Sequence, residues 1–424
     1  MLTPPPSDLN WLFFDLNSFF ASVEQQENPA YRNKPLAVVP MLTDSTCAIA
    51  ASYAAKAYGI KTGTKIYDAK RMCPHLICKL AEHDLYVRYH HRIFDEVANH
   101  IPVTRICSID EAACELLGEE KRPETARKIA CSIKDGVKKN IGEYITCSIG
   151  IAPNAFLAKV ASDMQKPDGL VILDQHNLKE RLFALKLRDL PGINIRMEQR
   201  LNRANVYTIE EFWNLSPKHA RKIWHSVEGE RFWYKLHGYH IPERETQKRV
   251  VGHSRILDPA LRSPDSAYAV TRQLLIKATT RLRRYDLYAK NLYLSTRTVS
   301  GLRWANDLSL APTQDHQDFL KALDRLWEHM IRTIHNERIK KVSITLFDLQ
   351  KPSDITLDLF DNANAKQDIR TIQGNPLLFE SIEKLNKRYG AHTVNIGMMP
   401  KTSAGYVGTK IAFTHIPEQD EFHE

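Results

Sequence analysis

Between residues 246 and 350 the chain switches between two-residue and 3.6-residue hydrophobic periods in one order, β-α-β-β-α-β, and that order limits the fold more than any other feature. The spacing predicts strands over His253–Leu257, Lys290–Thr298, Leu302–Leu310 and Lys340–Leu349. It predicts helices over Ser266–Arg284 and Asp315–His335. The second helix carries a continuous apolar stripe of Phe319, Leu320, Leu323, Leu326, Trp327, Met330, Ile331 and Ile334, which must be core. An independent α+β domain of ferredoxin-like order follows. Residues 246–300 also hold eleven Lys or Arg against three Asp or Glu, a net +8 in a chain whose total is +9. Such a concentration suits a polyanion such as nucleic acid, although a solvated basic face has the same composition.

At 424 residues, the chain is long enough for about three folding units. An apolar share of 43% with 26% charged residues excludes wholesale disorder. Trp11–Phe14 reads as a buried strand and Phe19, Phe20 and Val23 as a helix, so Asp15 falls at the strand's end. Pro35–Pro40 is extended, and the Ala-rich stretch Ala48–Ala57 is predicted as a helix stopped by Gly59. Thr104–Leu117 reads as a strand or hairpin, Glu124–Lys139 as an amphipathic helix and Tyr144–Ile151 as a strand. Asn154 can cap a helix bearing Phe156, Leu157, Val160 and Met164, which Lys166-Pro167-Asp168-Gly169 ends. A small helical region runs to about Glu245, with a turn at Leu190–Asn194. Past Lys351 the chain turns polar (Asp361–Asn375), with one more helix at Pro376–Tyr389. The seven cysteines contain no C-x-x-C and read as small buried hydrophobes, not a disulfide frame or zinc site. The first basic residue is Arg32, so no signal or transit pattern is expected. No apolar run is long enough for a membrane span, and the expected location is cytoplasmic.

Phosphoryl or nucleotidyl transfer needs divalent metal held by carboxylates beside the reacting phosphate. Asp15 and the pair Asp110, Glu111 in Ser-Ile-Asp-Glu-Ala have that chemistry. Alone they are weak signals, because an acid at a strand end also serves as a turn or cap residue and adjacent acids on a strand face opposite ways.

In combination the motifs resemble the Y-family translesion DNA polymerases, particularly the bacterial DinB and UmuC group. Phe14-Asp15-Leu16-Asn17-Ser18-Phe19-Phe20-Ala21-Ser22-Val23-Glu24 looks like the first metal motif, and Tyr53–Gly59 like the fingers helix that contacts triphosphate. Ser108-Ile109-Asp110-Glu111-Ala112 matches the second metal motif. Ser148–Gly169, with Ala158-Lys159 and Lys166-Pro167-Asp168-Gly169, matches the end of the palm. The likeness spans roughly residues 10–400 and implies a multidomain α+β right hand. Its palm would be residues 8–18 and 82–173, its fingers 19–81, its helical thumb 174–245, its ferredoxin-like little finger 246–350 and its C-terminal tail 351–424.

The resemblance implies that Asp15, Asp110 and Glu111 hold two magnesium ions, with the Leu16 carbonyl as a further ligand. It implies nucleotide contacts from Phe19, Phe20, Tyr53, Lys56 and Lys166, Phe20 being the bulky residue that blocks a ribose 2′-hydroxyl. Two departures stand out. Ala50 replaces the usual Ser or Thr, and Lys56 replaces a frequent Arg, exchanging a bidentate fork for a point charge. Pro191-Gly192-Ile193 resembles a helix-hairpin-helix turn that offers amides to DNA phosphate, with Asn194 where the family has its second glycine. An ordinary interhelical loop reads the same way. Arg255 and Arg297 are the little-finger contacts expected to track duplex phosphates. Thr356-Leu357-Asp358-Leu359-Phe360 resembles a sliding-clamp peptide with Thr in the Gln position, and a plain apolar anchor would also use Leu357, Leu359 and Phe360.

The resemblance implies a low-fidelity, template-directed DNA polymerase, a mutator-type enzyme of the DNA-damage (SOS) response. It would act on primed template DNA with deoxynucleoside triphosphates, without a membrane. Accessory subunits or a recombinase filament are further partners of such an enzyme. The main rival is a catalytically reduced DNA-binding adaptor of a repair assembly, which degenerate carboxylates would signal. A nucleotidyl cyclase also uses a palm, but would not need the basic domain or the thumb turn.

Overall fold

Trp11–Leu16 is a run of six residues with every side chain buried. A strand apolar on both faces must lie between neighbouring strands and between layers. The computed structural model describes residues 8–242, 247–355, 376–390, 393–394 and 416. In it Trp11–Leu16 is strand β1, at the centre of a five-stranded sheet. The chain continues through α1 (Phe19–Glu27), β2 (Leu36–Val39), β3 (Ala50–Ala51), α2 (Tyr53–Lys56), α3 (Ile66–Met72), β4 (Ile77–Leu80) and α4 (His83–Ala98). Then come β5 (Arg105–Ile106), β6 (Glu111–Glu115), α5 (Pro123–Gly136), β7 (Cys147–Ala152), α6 (Ala155–Met164) and β8 (Leu170–Ile172). The large sheet has the order β5-β6-β1-β7-β8, with β1 antiparallel to β6 and β7, and β8 parallel to β7. β8 was not anticipated; three residues after a turn carry too little periodicity to read.

Alternation along β1 sorts its side chains between two layers. Leu12, Phe14 and Leu16 enter a core with residues of α1, α4 and α5. Trp11 and Phe13 enter another with Leu157, Val160 and Ala161 of α6. Asp15 shares the parity of Trp11 and Phe13 and so emerges on the α6 side. Gly150 of β7 permits α6 to lie close, because a Cβ there would stand 2.0 Å from the Ala158 carbonyl oxygen.

The sheet β3-β2-β4 has a core of its own, including Val39, Ala51, Ile60 and Ile66. Here the Ala-rich stretch departs from the predicted helix. Ala50 and Ala51 pair with Val38 and Ala37 as β3, and only then does Ser52, whose hydroxyl accepts from the Ala55 amide, start α2. Strand pairing overrides alanine's helix propensity. A helical region follows, made of α7 (Leu178–Phe183), α8 (Ile195–Arg203), α9 (Ile209–Trp213), α10 (Pro217–Trp224) and α11 (Val227–Leu236). These helices share the Trp11–Phe13 core. Asn154 fastens them to α6: its Oδ1 accepts from the Leu157 amide at 2.8 Å, and its Nδ2 donates to the carbonyls of Lys235 and Tyr239.

A second compact unit begins after Glu243. It contains β9 (Val250–Ile256), α12 (Pro264–Arg284), β10 (Tyr288–Thr298), β11 (Arg303–Thr313), α13 (His316–Ile334), β12 (Ile339–Gln350) and α14 (Pro376–Tyr389). Its antiparallel sheet runs β11-β10-β12-β9. The α13 stripe is core, with Ile331 alone only partly buried. All seven cysteines are free, but only Cys73, Cys114 and Cys147 are buried, and Cys131 is exposed. The expectation of seven buried cysteines is corrected accordingly, because Cys131 falls on the outer face of α5. Among the described residues no helix is long and apolar enough to cross a membrane. Thr356–Phe360, with Leu357, Leu359 and Phe360, and the polar stretch 361–375 lie outside the described residues.

Replacing Gly150 by Ala forces α6 away from β7. The expected cost is about 1–3 kcal/mol or more, seen as a lower urea midpoint by tryptophan fluorescence. An unchanged midpoint would contradict the close approach.

Candidate active site

Asp15, only 3% exposed, lies opposite Glu111 of β6 and Ser148 of β7. Glu111 has the parity of Ala113, which joins the α6-side core, so both acids face α6. From α6 and the turn beyond it, Lys159, Asp163 and Lys166 reach back at helical spacing. The Lys159 ammonium donates to Asp15 Oδ2 and lies 2.7 Å from Glu111 Oε1 and 3.1 Å from Asp163 Oδ1. Lys166 Nζ is 2.6 Å from Asp15 Oδ1 and 2.8 Å from Asp163 Oδ1. Asp110 stands just before β6: its Oδ1 accepts from Ser108 Oγ at 2.5 Å, and its carbonyl accepts from the Leu16 amide at 2.9 Å.

The three acids titrate differently. Burial alone would raise Asp15, but the Lys159 and Lys166 ammonium groups outweigh it and hold the carboxyl below the ordinary carboxylate range. Burial prevails at Asp110 and Glu111 and pushes both up, against the help of Ser108 and Lys159 respectively. Burial disfavours the charge on Lys159, and Asp15, Asp163 and Glu111 more than offset it, raising Lys159. Among the described residues no three His, Cys, Asp or Glu groups converge as a ready cation cage. Between Asp15 and Glu111 the cation is Lys159 itself.

Phe20 of α1 is half-buried and stacks on Tyr86, with ring centroids 4.4 Å apart and 16° between planes. The Tyr86 hydroxyl donates to the buried Glu24 at 2.7 Å. Phe19 is 3% exposed and its ring belongs to the core, so a nucleotide contact from Phe19 would have to come from its backbone. Lys56 Nζ lies 4.2 Å from the centre of the Tyr53 ring, pairing the two α2 residues. A cleft of about 450 Å³ joins Lys159 and Asp163 to the Leu190–Asn194 turn. In that turn Gly192 takes the left-handed backbone (φ 97), whereas Asn194 is extended and caps α8 by accepting from the Met197 amide at 2.9 Å. Asn194 therefore stands at the family's second-glycine position without a left-handed backbone.

Arg255 and Arg297 occupy opposite faces of their sheet. Arg255 pairs across strands with buried Val342, has a side chain only 11% exposed and meets Asp258 at 3.5 Å. Arg297 is exposed, in register with Arg303 and Lys341, so three cations form one row on the open face. The sequence reading missed Arg303 and Lys341, and it also missed Lys159, Asp163 and Ser148, which surround Asp15. The i, i+4, i+7 spacing of Lys159, Asp163 and Lys166 was the available signal for the first two.

Family models describe the same two segments. Residues 14–163 match the impB/mucB/samB family, and residues 248–359 match the impB/mucB/samB family C-terminal domain. The chain is 30% identical over 392 residues to DNA polymerase IV 1 of Bacillus subtilis (strain 168), covering 90% of this chain and 91% of that one. This chain belongs to the Y-family of DNA polymerases, on its DinB-like side. DNA polymerase IV of Moorella thermoacetica (strain ATCC 39073 / JCM 9320) is 38% identical over 207 residues, 48% of this chain and 51% of its own. Among solved structures, the Y-family DNA polymerase chimera Dbh-Dpo4(243-245)-Dbh aligns with a TM-score of 0.67 at 21% identity, over 81% of this chain and 99% of that one. The insertion ternary complex of Dbh DNA polymerase gives 0.52 at 22% identity, over 81% and 99%. The polymerase is thus a translesion enzyme, and the adaptor alternative is not favoured.

Opposite stability effects are expected from two isosteric substitutions. A carboxyl with a lowered folded pKa contributes stability above its ordinary pKa, lost as pH falls through the folded value; one with a raised pKa costs stability once ionised. At pH 7 with chelator, Asp15→Asn should lower the thermal midpoint and Asp110→Asn should raise it, each by about 2–4 °C. Equal shifts in one direction would contradict this electrostatic account.

Proposed function

We propose that this polymerase extends primed template DNA with deoxynucleoside triphosphates by two-metal nucleotidyl transfer at the Asp15 end of β1. The observation that carries the reading is the convergence of Asp15 and Glu111 on one cation, the Lys159 ammonium, with Asp110 beside them. Three hard oxygen donors, two on adjacent strands and Asp110 just before one of them, fit two magnesium ions, with the Leu16 carbonyl as a further donor. When bound, such a pair lowers the pKa of the primer 3′-hydroxyl and neutralises charge on the triphosphate and pyrophosphate. Lys166 and the α2 residues Tyr53 and Lys56 hold the triphosphate. Phe20, its ring backed by Tyr86, excludes a ribose 2′-hydroxyl.

In this reading residues 8–18 and 82–173 are the palm, 19–81 the fingers, 174–245 the thumb, 246–350 the little finger and 351–424 the tail. The separate fingers-like core around Ile60 and Ile66 and the helical region from Leu178 to Leu236 support the division. The Gly192 turn offers its amides to DNA phosphate. Arg297, joined by Arg303 and Lys341, follows the duplex backbone. Leu357, Leu359 and Phe360 engage a sliding clamp in the bacterial cytoplasm.

Primer extension with each of the four deoxynucleotides, on undamaged and abasic templates, tests the activity. Asp110→Ala or Glu111→Ala should reduce extension to background while DNA binding persists; extension at the parental rate by either would overturn the metal assignment. Phe20→Ala should raise ribonucleotide insertion relative to deoxynucleotide by about tenfold or more. Unchanged sugar discrimination would remove that role from Phe20. Replacing Arg297, Arg303 and Lys341 together by Ala should flatten the log-log salt dependence of DNA binding by about two to three. A parental slope would mean that this row is only a solvated surface.

A further inference from the structure

The turn that carries Lys166 is fastened from a helix that contributes nothing else to the site. Lys134 of α5 donates to the carbonyls of Asp168 and Gly169, the second at 3.2 Å, and lies 2.8 Å from Asp168 Oδ1. An ammonium has three N–H donors, and here all three have acceptors on two consecutive residues of one turn. The same turn is held from the sheet. Asn17 Oδ1 accepts from the Asp168 amide at 2.7 Å, and Ser148 Oγ accepts from the Gly169 amide and donates to the Gln165 carbonyl, both at 3.2 Å. The backbone itself is tightly wound. Asp168 adopts φ 57, and a Cβ on Gly169 would stand 1.8 Å from the Gln165 carbonyl oxygen.

We infer that Lys134 is a positioning residue for nucleotide binding, acting through Lys166. The inference rests on the reading of Lys166 as a triphosphate contact. Lys166 is a point charge on a flexible four-carbon stem, so its place near Asp15 depends on where its Cα is held. Asn17 and Ser148 fix the sheet side of the turn, and Lys134 fixes the other. With Lys134 gone, two carbonyls and a carboxylate lose their shared donor, and the turn is free to shift. A displacement on the order of 1 Å is enough to weaken a positioned charge.

Single-nucleotide insertion by the full chain, with Lys134→Met, Lys166→Met, the double variant and Lys134→Arg, tests this. Lys166→Met should raise KM for the deoxynucleotide about tenfold. Lys134→Met should raise it about three- to tenfold, with kcat within about twofold of the parent and DNA affinity unchanged. The double variant should be no worse than Lys166→Met alone, because a residue that acts through another adds nothing once that other is gone. Lys134→Arg, which keeps charge and donors, should stay within about twofold of the parent. A parental KM in Lys134→Met beside a raised KM in Lys166→Met overturns the inference, as do multiplicative effects in the double variant. A lower thermal midpoint and lower kcat with parental KM would make Lys134 a merely structural residue and also overturn it. A parental KM in Lys166→Met overturns the reading of Lys166, and this inference falls with it.

Discussion

A buried carboxylate between two ammonium groups organises this molecule. Asp15 could not remain ionised at 3% exposure without Lys159 and Lys166, since burial by itself favours the neutral acid. Those two cations reach it only because α6 lies hard against β7 over Gly150, and because the turn at 165–169 closes immediately after the helix. The position of α6 in turn depends on the parity of β1, which sends Trp11 and Phe13 into its core and Asp15 out at the same edge.

The neighbours of Asp15 are balanced differently, and the difference suits the chemistry. Asp110 and Glu111 are pushed up by burial and incompletely compensated, and under the proposed two-metal reading a divalent cation relieves that unfavourable electrostatic free energy. A site shaped for added positive charge is expected to be less stable than a neutral substitute. That is the common trade between stability and activity. Phe20 follows the same logic in apolar terms: its face is fixed by stacking on Tyr86, whose hydroxyl is in turn fixed by buried Glu24. Rigid support behind the proposed sugar-facing ring keeps its position from depending on the ligand.

Much of this was legible in the sequence, for local reasons. The α13 stripe and the Asn154 cap depend on residues within a few turns of one another and stand as read apart from the partly buried Ile331, while the strands beside α13 form with shifted ends. The acids of β1 and β6 were legible as a pair only through their motifs, since their cross-strand register is a long-range property. What failed required tertiary information. Ala48–Ala57 has the composition of a helix, yet Ala50 and Ala51 are claimed by Val38 and Ala37. Arg255 and Arg297 look equivalent in a basic stretch, but one residue of phase puts them on opposite faces. Phe19 and Phe20 are adjacent and aromatic, and only docking of α1 against α4 decides that Phe19 goes to the core. Lys134 carried no readable signal, because its acceptors on Asp168 and Gly169 lie more than thirty residues along the chain.

The most direct test of the account is anomalous diffraction from crystals of the enzyme with primed DNA, an incoming nucleotide and manganese. Two scattering peaks within coordination distance of the Asp15 carboxylate, one shared with Asp110 and Glu111, are predicted, with the Lys159 ammonium displaced from Asp15 or Glu111. Peaks remote from Asp15, with Lys159 and Lys166 both still bonded to it, would show that this carboxylate serves only to hold α6 and would contradict the central claim.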